Sequence, residues 1–308
     1  MTCNIISAVI AFEIKREARK KAFLLMIVLV ILPVMAAVVV RLFTGREIGG
    51  ERLWALLFGA DLGSSALTGL IASIGIVGWS WLVGVMYGGD LFASDIREGL
   101  LQLFFLRPKG RIYYVLGKML AVGIFLTSFF AVAGVFTLVA GLILGGWQRD
   151  WWLAPVLGFL LGLGVYPIVL ASSLFGILTR SPILGMILGA AAYILTGVAV
   201  SLGMSIVLVS QGIANIEAWK DYMEGSIILS GYIPFLAGTQ LPLIFYYYIT
   251  LENTFTPIPL PSIGGASQVA VTLDLTPSDV LPLYLGSTLI GTLVLFALNT
   301  WAIRRLEL

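Results

Sequence analysis

Uncharged apolar stretches alternate with short charged segments along this chain. Six stretches hold no Asp, Glu, Lys or Arg: residues 22–40, 64–87, 119–145, 153–178, 183–209 and 283–302. A helix of ~20 apolar residues crosses the ~30 Å hydrocarbon core of a bilayer, so each stretch predicts one transmembrane helix. Local punctuation supports two of the helix starts. Ser181-Pro182 places proline at a first helical position, where a missing N–H costs nothing. Thr276-Pro277-Ser278-Asp279 has the form of a capping box with Asp in place of Glu. Residues 231–250 are also uncharged, but Pro234 and Pro242 predict breaks. The stretch could count as a seventh span, but that crossing would put Arg304 and Arg305 outside. It is expected instead to be external or re-entrant, lying against the membrane. The alternation of Val269, Val271, Leu273 and Leu275 predicts one strand before the last span.

Composition agrees with the pattern. Of 308 residues, 59% are hydrophobic and 11% are charged, with mean hydropathy +1.04, against ~25% charged in a soluble domain. Such a chain cannot cover itself with a water-compatible surface. The net charge of +2 and the lack of a large basic patch leave nothing to hold nucleic acid. There is no His and one Cys, Cys3, which excludes intrachain disulfides, His/Cys metal sites and Cys/His or Ser/His/Asp catalysis. The predicted spans offer only Ser, Thr, Asn299 and Tyr193 as polar groups at depth. Proton relays and ion-coupled carriers place ionisable groups there, and an intramembrane enzyme needs an acid, base or nucleophile pair. The Gly117-Lys118 pair is followed by Met119 and lacks the upstream glycine of a phosphate-binding loop. Uphill movement of a solute would draw its energy from another chain.

Basic residues in the connections orient the spans. With the N-terminus in the cytoplasm, 13 of 18 Lys and Arg lie inside; Arg41, Arg46, Arg52, Arg149 and Lys220 lie outside, while six acids lie inside and ten outside. Both termini are thus expected in the cytoplasm, and 210–282 becomes a large external segment. The apolar run after Lys21 is too long for a signal-peptide core and is followed by Arg41 with no clear cleavage site, so it is expected to be retained. Residues 4–21 predict a helix, apolar at Ile5 to Phe12 and basic at Lys15 to Lys21, with Glu17 spaced to reach Lys20 and Lys21. It reads as a membrane-surface helix. The small-xxx-small pairs Gly84/Gly88, Gly141/Gly145, Gly158/Gly162 and Gly185/Gly189 permit close helix packing, within one bundle or between two copies. Trp147, Trp151 and Trp152 flank the turn between spans three and four, where an aromatic belt belongs.

The segment 88–118 carries the most information. Gly88 and Gly89 are expected to loosen the end of span two. Phe92, Ile96, Leu100, Leu103 and Phe104 then recur at helical spacing opposite Ser94, Glu98 and Gln102. Arg107 complements the C-terminal dipole of that helix, Pro108-Lys109-Gly110 ends it, and Arg111 and Lys118 flank the start of span three. Two readings fit: an interfacial helix that orients its neighbours, or a docking element for a cytoplasmic partner. The stretch resembles the signature segment of ABC-2-type permeases of the ATP-binding-cassette transporters. The resemblance rests on Gly89-Asp90, Asp95 (where Glu is more usual), Gly99-Leu100-Leu101 (where Thr is usual after Gly), Pro108-Lys109-Gly110-Arg111 and Gly117-Lys118. The six spans, cytoplasmic termini and N-terminal surface helix agree with it.

The resemblance implies an all-α polytopic permease, a single domain over 1–308, in the plasma membrane. Its surface helix is 4–21, its coupling segment 88–118 and its external segment 210–282. It implies an exporter that forms its path as a dimer, expected to be a homodimer, and is driven by two separate ATPase subunits. Those subunits would bind ATP and Mg; the chain itself is expected to hold no cofactor or metal and to catalyse no reaction. ATPase coupling falls on Asp90, Asp95, Arg97, Glu98, Arg107 and Arg111. The bilayer is its solvent, and an external partner at 210–282 is a further expectation. A non-transporting membrane scaffold that recruits a cytoplasmic partner through 88–118 is the competing reading.

Overall fold

In the computed structural model the described residues are 2–18, 21–44, 51–60, 71, 74–99, 110–212, 216–250, 255, 258–259, 270–271 and 273–305. The architecture is helical. The helices are α1 (Thr2–Glu17), α2 (Lys21–Thr44), α3 (Leu53–Phe58), α4 (Ile76–Asp90), α5 (Ala93–Arg97), α6 (Gly110–Gly145), α7 (Leu153–Thr179), α8 (Pro182–Gln211), α9 (Ile216–Tyr232), α10 (Pro234–Thr250) and α11 (Pro277–Arg305). Six helical segments are long and apolar enough to cross a membrane: Phe23–Phe43, Ile76–Arg97, Tyr113–Gly145, Leu153–Thr179, Pro182–Gln211 and Pro277–Arg305. This is the character of an integral membrane protein.

Helix α7 is the axis, packed by α4, α6, α8, α10 and α11. Its glycines set how closely they approach. A Cβ on Gly158 would fall 2.1 Å from the Phe130 carbonyl of α6, and one on Gly88 of α4 would fall 2.2 Å from the Val169 carbonyl of α7. Gly185 and Gly189 of α8 meet Gly176 and Ser172, while Gly141 and Gly145 seat Gln148 and the α3 residues Leu53 and Trp54. All four small-xxx-small pairs therefore serve packing inside the chain. Gly88 and Gly89 do not loosen the end of α4, because both are buried contacts, Gly89 against Met186 and Pro182 of α8.

The two ends of the bundle differ. One gathers α1, α5, the start of α6, the α7–α8 turn with Arg180, and Arg304 and Arg305 of α11. The other gathers α3, the α6–α7 turn, the end of α8 and the start of α11. At this second end Arg52 donates to Asp150 Oδ2 (2.9 Å) and to the Thr250 carbonyl (3.3 Å), and Arg41 donates to the Leu144 carbonyl (2.7 Å). The short α3 is wholly buried there, with Trp54 Nε1 donating to the Arg149 carbonyl (2.9 Å). Trp147, Trp151 and Trp152 stay exposed at the same end.

Several expectations need correction. The second span begins at Ile76 with Gly75 as its extended N-cap, not at 64; residues 61–70 lie outside the described residues. The N-terminal helix does not run unbroken over 4–21: α1 stops at Glu17 and α2 starts at Lys21. Of the predicted strand, Ala270–Val271 pairs antiparallel with Ile258–Pro259, and Leu273 and Leu275 lie beyond it. The cap at Thr276 does form, its N–H and hydroxyl both donating to Asp279 Oδ2 (2.9 and 2.6 Å). At the start of α8 the Leu184 N–H donates to Ser181 Oγ (3.4 Å) with Pro182 following.

Residues 231–250 depart from expectation at Pro242 rather than in their general placement. Helices α9 and α10 join at a 116° bend, with Pro234 opening α10 and Pro242 inside it. Pro242 does not break the helix. It leaves the Gly238 carbonyl without its i+4 donor, and that carbonyl lies against Gly164 of α7, where a Cβ would sit 1.8 Å from it. Two glycines bring the backbones together, a spacing that permits a Cα–H···O contact. The tip at Pro234 abuts Gly291, midway along α11. The outer ends return to one end of the bundle, Lys220 pairing with Asp274 and Thr250 with Arg52. The pair is thus a bent hairpin packed between α7 and α11, a shape that fits a re-entrant loop or a broken span.

Candidate functional site

Charge is buried at the end of the bundle where α1, α5 and α6 meet. The helix expected from the spacing of Phe92, Ile96, Leu100, Leu103 and Phe104 is described only in its first part. That part comprises Ala93–Arg97, closed by Glu98 and by Gly99 at φ 71°; residues 100–109 lie outside the described residues. This turn is anchored rather than amphipathic at the surface. Phe92 and Ala93 are fully buried, and Ser94 Oγ donates to the Asp90 carbonyl (2.9 Å) across the α4–α5 break.

Asp95 points inward, 1% exposed. Its Oδ2 accepts from Tyr114 Oη (2.5 Å) and from Lys118 Nζ, and its Oδ1 accepts from Arg16 Nη1 (3.2 Å). Lys118 is 0% exposed. Its ammonium sits over the rings of Phe92 (5.3 Å) and Tyr114 (5.5 Å), a placement that adds cation–π attraction in a dry site. The sequence accounts for this local build. Tyr114 and Lys118 are one turn apart on α6 and share a face, and Gly117 between them lets α1 approach, since a Cβ there would meet Val9 at 2.8 Å.

Helix α1 presents two acids to this face beside its half-buried Val9 and Ile14. Glu13 and Glu17 are 0% and 1% exposed, whereas Phe12 is 63% exposed. Arg16 bridges the parts, with Nη2 3.1 Å from Glu13 Oε2 and 4.0 Å from Glu17 Oε1 while Nη1 holds Asp95. Burial lifts the Glu13 carboxyl above its ordinary value, against the pull of Lys118 and Arg16. Burial also opposes charge on Arg16, but Asp95 and Glu13 beside it hold the guanidinium above its usual range. The junction ties α1, α5 and α6 into one body.

Of the six residues expected to couple to a partner, only Asp95 belongs to this junction among the described side chains. Asp90 ends α4, and Arg97 and Glu98 stand exposed on the α5 turn. Arg107 lies outside the described residues. Arg111 is in the first turn of α6, but its side chain is not among those described. The sequence reading missed Glu13, Arg16, Glu17 and Tyr114 and placed Lys118 at the rim. A signal existed: two i,i+4 pairs, Glu13/Glu17 in the charged end of α1 and Tyr114/Lys118 at the start of the apolar α6.

The junction offers no acid–base pair open to a substrate, and among the described residues no group of three metal-binding side chains occurs. Its geometry suits holding helices together and transmitting their movement. Compared with known proteins, the chain matches no family model, no curated protein and no solved structure.

Proposed function

We propose that this chain is the membrane-spanning subunit of an ATP-driven exporter of the ABC-2 type, working as a dimer with separate cytoplasmic ATPase subunits. In this reading the junction end of the bundle faces the cytoplasm, both termini lie there, and the α3 end faces out together with the mouth of the α9–α10 hairpin. One observation carries the proposal: the buried Asp95–Lys118–Arg16 junction binds α1 rigidly to the α5 turn and the foot of α6. These are the elements that the resemblance names as resting on an ATPase. A push on exposed Arg97 and Glu98 would pass through Asp95 into α6 and α1 without dissipating in a loose loop. The basic residues of the bundle support the same orientation, since Lys15, Arg97, Arg180, Arg304 and Arg305 stand at the junction end.

The test is purification from the native membrane in mild detergent, followed by nucleotide hydrolysis by whatever comes with the chain. A co-purifying ATPase lost on Glu98→Lys but kept on substitution of Lys220, at the opposite end, is the expected result. A partner that neither binds nor hydrolyses ATP would move the assignment to a membrane scaffold.

A further inference from the structure

We infer that the seat of α1 on α6 is a proton-binding site, with Glu13 as the acceptor, and that the seat loosens when Glu13 is ionised. Glu13 is fully buried, and neither of its carboxylate oxygens accepts a hydrogen bond. Arg16 Nη2 lies 3.1 Å away as an ion pair but without hydrogen-bond alignment, because the guanidinium is oriented by Nη1 on Asp95. An ionised carboxylate without donors is among the least tolerated groups in a protein interior, while the neutral acid is far less costly.

Among the described residues four charged groups act on Glu13. From its own helix Glu13 feels Arg16, which favours ionisation, and Glu17, which opposes it. From α5 comes Asp95, which opposes it, and from α6 Lys118, which favours it. Tyr114 stands beside Asp95 and Lys118 as a neutral donor, and Tyr87 of α4 faces Glu17. Lys118 is committed to Asp95, so its pull on Glu13 is what remains after that pairing. Burial outweighs the balance, and the Glu13 carboxyl rises above 4.5.

The direction of the linkage follows. The seated α1 binds the proton more tightly than a detached α1, whose Glu13 would titrate at its ordinary value. Proton-dependent seating is therefore fully present below about 4.5 and is lost as pH rises through the raised value. The proton comes from the solvent on the junction side and returns to it; no other group changes its bonds. The site needs no ATPase partner, so it stands or fails independently of the transport reading.

The test uses the full chain in lipid nanodiscs. Hydrogen exchange of residues 2–18 is compared between wild type and Glu13→Gln at each pH, which cancels the intrinsic pH dependence of exchange. The ratio of α1 opening constants should climb by up to about tenfold per pH unit through the titration and then level off. Lys15→Gln, an exposed α1 control, should follow wild type. Infrared titration should show a neutral carboxyl band that persists above the ordinary glutamate range and is missing in Glu13→Gln. A flat exchange ratio, or a neutral-carboxyl band that survives Glu13→Gln, would overturn the assignment.

Discussion

Asp95 and Lys118 support a quantitative prediction about how the junction holds together. Asp95→Asn keeps the side-chain volume and removes the charge. Lys118 then remains 0% exposed with a neutral amide in place of its carboxylate, the Tyr114 hydroxyl at 3.4 Å and two ring faces around its ammonium. Breaking a buried pair from one side costs about 3–5 kcal/mol, because the surviving charge is stranded. Lys118→Met strands less. Asp95 keeps Tyr114 and Arg16 as donors, so the loss is that of one charge-assisted hydrogen bond, roughly 1.5–3 kcal/mol. In the double substitution no ammonium is left to strand, and an apolar replacement of a buried pair is often close to neutral. The double variant should thus be more stable than Asp95→Asn alone, and its loss should fall well short of the sum of the two single losses. The measurement is reversible unfolding in mixed detergent micelles, read by tryptophan fluorescence, on the four chains of the cycle. Additive single effects, or an Asp95→Asn loss below about 1 kcal/mol, would show that the pair is not the clamp its geometry describes.

Three further outcomes can be checked. Gly164→Val places a branched side chain where a Cβ alone would be 1.8 Å from the Gly238 carbonyl; the α9–α10 hairpin should unseat, seen as new protease cleavage between 216 and 250 with α1–α6 contacts intact. Cysteines replacing Ser210 and Arg305, at opposite ends of the bundle, should label from opposite sides of sealed vesicles; labelling from one side would refute the six-span topology. Gly117→Leu should displace α1 through Val9 and raise hydrogen exchange across residues 2–18, whereas Gly203→Ala, whose added Cβ meets nothing, should leave exchange unchanged.

The helix-spanning stretches were legible in the chain because lipid demands them: about twenty uncharged apolar residues can do little else but cross or be buried. The same holds for the caps at Ser181 and Thr276, which are made by neighbours in sequence. Which face of α1 turns inward was not legible from composition. Phe12 stands exposed while Glu13 beside it is buried, close to the buried ammonium on α6 and the buried carboxylate on α5. The end of α5 is set by the backbone at one residue: Gly99 turns left-handed at φ 71° just after Arg97 and Glu98. Proline at 242 was read as a break, and locally that is sound. The helix survives because Gly164, 78 residues earlier in the chain, brings another backbone to the freed carbonyl. Local sequence set which segments are helical and apolar. Long-range proximity decided where charge could be buried, and which glycines and prolines are contacts rather than interruptions.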